Sequence, residues 1–79
     1  MGQKEFKMWV LYQNTLDFPG QFVAREFVGG KPTGWCFADA ELGPVNNWVV
    51  QSAKKFGLGE PVRLERDPND DPCIVCTFI

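Results

Sequence analysis

One stretch of this chain, and only one, repeats its apolar residues at helical spacing. Val45, Trp48, Val49, Ala53 and Phe56 recur in steps that place them on a single stripe of an α-helix. The ends of that stripe are marked by residue chemistry. Asp39 offers an N-cap, or Gly43-Pro44 begins the helix with proline at its first position. Lys54 and Lys55 fall in the last turn, where the helix dipole favours cations. Gly57 suits the left-handed C′ position, with Leu58 folding back as the apolar contact beyond it.

The rest of the chain reads as strands and turns. Residues 5–12 alternate as a first strand with apolar groups on both faces: Phe6, Met8, Val10 and Tyr12 one way, Trp9 and Leu11 the other. Such a strand is interior, covered by the helix on one side and by something else, a partner included, on the other. Asn14 to Gly20 is dense in turn formers, and Pro19-Gly20 suits the centre of a type II turn. Residues 21–28 form a second strand, with Phe22, Ala24 and Val28 on one face and Val23, Arg25 and Phe27 on the other. Residues 29–34 read as a hairpin loop, 35–38 as a short third strand, 61–65 as a fourth and 73–79 as a fifth. Two prolines keep the 66–72 turn from extending either neighbouring strand.

The order β-β-β-α-β-β implies an α+β fold: an antiparallel or mixed β-sheet of four to five strands with one helix packed on a face. Residues 1–79 make a single domain, without internal repeat or linker. Phe6, Phe22, Trp48 and Phe56 are expected to fill the space between helix and sheet. Trp9 is expected on the face that the helix leaves open.

Composition narrows the chemistry. Eleven of the 79 residues are aromatic (three Trp, seven Phe, one Tyr), and there is no histidine. The chain has ample rigid apolar area for packing and recognition. It lacks the side chain most used for proton transfer and metal ligation near neutral pH, and it has one serine, Ser52. A nucleophile with its base, or paired carboxylates in a cleft, is not in evidence, so no enzymatic activity is expected. The net charge of −2 opposes nonspecific nucleic-acid binding, and Lys54-Lys55 is a weak basic footprint. Met1-Gly-Gln-Lys-Glu carries no apolar leader and no stretch is long enough to span a membrane. With an odd number of cysteines (Cys36, Cys73, Cys76), a reducing cytoplasm is the expected compartment.

Cys73 and Cys76 have CxxC spacing, but a strand there sends the two thiols to opposite faces, so neither a zinc site nor a redox pair is expected. Asp67, Asn69, Asp70 and Asp71 form an acidic loop without the glycine and bidentate Glu of a calcium loop. Ordinary turn chemistry is the main reading of it, and a docking patch for a basic partner the functional one. No cofactor and no metal are expected. Arg25, among apolar neighbours, either pairs across strands or reaches an anionic ligand. Trp35 at a loop exit, Phe18 before Pro19-Gly20, and Trp9 have no evident interior home. The candidate partner-binding residues are therefore Trp9, Phe18, Arg25, Trp35, Asp67, Asp70 and Asp71.

Two segments carry a resemblance. Trp9 to Arg25 contains Pro19-Gly-Gln-Phe-Val-Ala-Arg25, and Arg63 to Val75 contains Asp70-Asp-Pro-Cys-Ile-Val75. They resemble small uncharacterised bacteriophage and prophage proteins with PGxFVxR and DDPxIV segments, over about half of the chain. Residues 29–58 match less well. The resemblance implies an accessory protein inside a bacterial cell that binds or inhibits a host component, such as a defence complex. Two other expectations stand beside it: a self-assembling protein, for example a homodimer through the second sheet face, and a weak single-stranded nucleic-acid binder using sheet aromatics with Arg25, Lys54 and Lys55.

Overall fold

The computed structural model describes residues 6–57, 59–69 and 71–79, and it shows five strands and one helix. In chain order these are β1 (Lys7–Gln13), β2 (Phe22–Val28), β3 (Lys31–Asp39), α1 (Leu42–Lys55), β4 (Arg63–Glu65) and β5 (Ile74–Phe78). Every neighbouring pair is antiparallel, and the sheet order is β3-β2-β1-β5-β4. The β-β-β-α-β-β order and the single helix on one face follow the sequence pattern. The helix also explains the strand order. It carries the chain from one edge of the sheet to the other, and β5 then returns beside β1.

Local chemistry sets the turns. Asn14 takes a left-handed φ of 55°, and its side-chain Oδ1 accepts the Gly20 N–H at 2.8 Å, closing the 14–20 loop. Gln21 N–H donates to the Phe18 carbonyl across Pro19-Gly20, with Gly20 at φ 74°, as a type II turn requires. The next turn is tighter than expected. Gly29 and Gly30, at φ 60° and 83°, form a two-residue hairpin connection, and Val28 pairs directly with Lys31.

So residues 31–34 are not loop. They belong to a nine-residue edge strand that tolerates Pro32 because an edge need not donate, and whose irregular register opposite Arg25 to Phe27 accommodates Gly34 at φ 91°. Helix α1 begins at Leu42 with Glu41 at the N-cap position. Asp39 accepts the Glu41 N–H at 2.8 Å instead of capping the helix. Gly57 takes φ 74° and donates to the Lys54 carbonyl, as the C′ position should. The expected contact from Leu58 lies outside the described residues.

On β1 the core takes the opposite face from the one expected, while Phe22 on β2 faces it as expected. Register pairs Trp9 with Glu26 and with Phe78, and Leu11 with Ala24 and with Cys76, so these residues share one face of the sheet. Helix residues Val45, Val49 and Ala53 pack into that face, with Phe22, Phe37, Trp48 and Val75 around them. Trp9 is 0% exposed and is the largest fully buried side chain. Its placement on the open face is therefore corrected: the helix needs a wide apolar floor, and the indole of a central strand supplies it. The indole Nε1–H has no hydrogen-bond partner among the described residues.

Phe6 and Phe56, expected in the core, are 55% and 50% exposed. Phe6 precedes β1 on the other alternation, and Phe56 lies beyond the last helical residue, where the stripe has run past the sheet. Phe22 and Trp48 do pack against the core.

Candidate functional site

At the β3 edge the helix and the sheet do not close completely. Glu26, Trp35, Trp48, Ser52, Lys55 and Phe56 line an open groove of about 350 Å³ between them. Its origin is periodic. Trp48, Ser52 and Lys55 lie on one flank of the buried stripe of α1 and Phe56 just past its last residue, while Glu26 belongs to the helix-facing row of β2. The irregular stretch of β3 then delivers Trp35 to the same rim. Trp35 is 70% exposed. Trp48 is held from behind by Phe37, with ring centroids 6.1 Å apart and planes 15° from parallel.

Glu26 is the unusual member, an acid only 5% exposed at the edge of an apolar core. The Thr33 hydroxyl donates to its Oε1 at 3.1 Å and accepts the Trp35 backbone N–H at 3.1 Å. One hydroxyl thus ties the acid to the tryptophan. The Lys7 ammonium stands 3.9 Å from the same Oε1, beyond hydrogen-bond reach, and 3.3 Å from the centroid of the Phe56 ring.

The candidates named from sequence do not form one surface. Trp35 lines the groove, whereas Trp9 is sealed beneath the helix. Arg25 lies on the opposite face of the sheet, where its Nη2 meets Asp17 Oδ2 at 2.6 Å and its guanidinium sits 5.5 Å from the Tyr12 ring centroid. That contact holds the Asp17 carboxyl below its usual range, with help from the Thr15 hydroxyl. Burial pushes the Tyr12 hydroxyl up, Arg25 pulling the other way. Phe18 is half-buried in the 14–20 loop.

The acidic loop lies toward the far edge of the sheet, between β4 and β5. Asp67 accepts the Asn69 N–H and Asp71 the Cys73 N–H, each at 2.8 Å, so both carboxylates serve their own turns. Asp70 lies outside the described residues. Among the described residues no group of His, Cys, Asp or Glu is placed to hold a metal ion. Cys73 precedes β5, its thiol 3.8 Å from the Asn14 carbonyl, and Cys76 is buried under the helix, so the CxxC pair does not converge. Burial first, and then Asp71, push the Cys73 thiol up.

Sequence reasoning missed Glu26, Thr33, Trp48 and Phe56 as groove residues. The signal for Glu26 was present: alternation puts it in the row of Phe22, Ala24 and Val28, an acid among apolar neighbours. No family model, curated protein or solved structure matches this chain. The groove is therefore read from its own chemistry.

Proposed function

We propose that this chain is a non-catalytic protein-binding module that engages its partner through the Trp35–Trp48–Phe56 groove. One observation carries the reading: two largely exposed rings, Trp35 and Phe56, and a third packed ring surround a nearly buried carboxylate. Exposed tryptophan is costly to leave in water and is the residue type most often responsible for binding energy at protein interfaces. The phage-like segments support a bacterial host protein as the partner, bound or inhibited in the cytoplasm.

Affinity capture from bacterial lysate tests this with three versions of the chain. Wild type and Leu16→Ala should retain the same protein, since Leu16 is fully exposed and lies in the loop before β2. The double variant Trp35→Ala/Phe56→Ala should lose it while keeping its circular dichroism spectrum. Retention by the double variant sinks the groove as the binding surface.

A second reading, self-association, is favoured by the sheet face away from the helix. Register and alternation place Val62, Leu64 and Ile79 together there, all exposed, and Phe6 at the same end. Association would cover this patch. Light scattering at micromolar concentration decides: a mass of one chain rules it out, and a dimer that Leu64→Asp dissolves supports it.

A further inference from the structure

The groove's chemistry also selects what enters it, and this step rests on the protein-binding reading above. We propose that the occupant is an arginine side chain of the partner protein, stacked on the aromatic rim and donating to Glu26. A buried carboxylate is unfavourable unless its oxygens are paired and hydrogen-bonded. Among the described residues, the contacts of the Glu26 carboxylate are the Thr33 hydroxyl and the distant Lys7 ammonium, and both reach Oε1. Oε2 has no such partner among them, and Glu26 lines the groove. Oε2 is not among the buried side-chain atoms left without a partner, where Trp9 Nε1 stands among the described residues, so what Glu26 offers a guest is an accessible acceptor at the groove.

Lys7 shows what the site accepts. Its ammonium already rests on the Phe56 ring, on the carboxylate side of the groove. That contact is a cation–π one, and the carboxylate geometry is too long for a hydrogen bond. A guanidinium suits the same place better. It is planar, stacks on tryptophan and presents two parallel N–H donors to a carboxylate. Lys7 would swing out to solvent on its flexible stem as the guest enters. Lys55 on the rim is exposed and solvent-screened, so it opposes the guest weakly. The net charge of −2 favours approach of a basic segment.

The test is an NMR titration of the full chain, following the three tryptophan indole N–H signals. The probes are acetyl-Ala-Arg-Ala-amide, the same peptide with Lys or Leu in place of Arg, and guanosine monophosphate. Trp9, sealed in the core opposite Glu26, reports whether the core itself is disturbed. The proposal expects the Trp35 and Trp48 signals to move, with the Arg peptide binding at least ~10-fold more tightly than the Leu peptide. Glu26→Gln should remove that preference, and Lys7→Met, which deletes the resident cation, should tighten the Arg peptide.

Equal binding of Arg and Leu peptides overturns the proposal. So does an Arg preference that survives Glu26→Gln, or a Lys7→Met variant that binds more weakly. Tighter binding of guanosine monophosphate than of any peptide overturns it in favour of a nucleobase site. If the peptides fail while Trp35→Ala/Phe56→Ala still abolishes partner capture, the arginine is wrong and the protein-binding reading stands.

Discussion

Trp9 and Trp35 are the same residue type with opposite duties, and the difference is burial. Trp9→Ala removes a fully enclosed indole and should cost about 3–5 kcal/mol. Against a total stability of about 5–15 kcal/mol, near the low end for so short a chain, much of the population would unfold. Trp35→Ala should change stability by less than about 0.5 kcal/mol, as exposed substitutions usually do. Urea unfolding of the two variants separates core from surface. A large loss for Trp35 would mean that the ring is structural.

Two further residues have pH-linked behaviour whose sign follows from their contacts. Arg25 and then Thr15 lower the Asp17 carboxyl from its ordinary value of 3.8, so the folded form favours the charged acid. That contribution is present above 3.8 and is lost as pH falls through the lower, folded value. Protection of the Gly20 and Gln21 amides, relative to intrinsic exchange at the same pH, should therefore fall on acidification below pH 3.8, and Asp17→Asn should lower it throughout. Cys73 behaves in the other direction. Its raised pKa leaves less thiolate at neutral pH, so exposed Cys36 should alkylate first, Cys73 slowly and faster with rising pH, and buried Cys76 only on unfolding. Mass spectrometry of iodoacetamide-treated protein reads the order.

At the scale of elements, the sequence announced which segments were helix and strand, but was less informative about where they ended. The helix is legible because Val45, Val49 and Ala53 repeat on one stripe and Gly57 stops it. The β2–β3 hairpin is legible but its extent is not, because Pro32 and Gly34 are loop residues by composition and become strand residues only at an edge. The turn itself depends on two glycines in left-handed conformation. Gly30→Val should cost about 1–2 kcal/mol in denaturant unfolding, because a β-branched residue is strained there. A neutral result would mean that the hairpin has another turn geometry.

The face assignment was the other illegible element. Strand β1 is apolar on both sides, and alternation alone does not say which side the helix takes. The answer depends on which row offers the broader floor, and Trp9, Leu11, Cys76 and Phe78 together form it only once β5 has been placed beside β1. For the same reason the groove could not be read from sequence. Glu26, Trp35 and Phe56 are separated in the chain, and only the irregular edge of β3 and the end of α1 bring them to one rim.

At the scale of the whole molecule, two surfaces stand out among the described residues: the aromatic groove at the β3 edge and the apolar end of the helix-free face. Among the described residues no helix is long and apolar enough to cross a membrane. The two surfaces are on opposite sides of the sheet, so a partner in the groove and a second copy on the open face would not compete. The central claim, that the groove is where the partner binds, is most directly tested by hydrogen exchange of the chain with and without the captured protein. Slowed exchange is expected in residues 31–37 of β3 and in residues 48–57, the last turns of α1 and the two residues after it, with residues 62–79 unchanged. Slowed exchange confined to residues 62–79, with the groove segments unaltered, would contradict it.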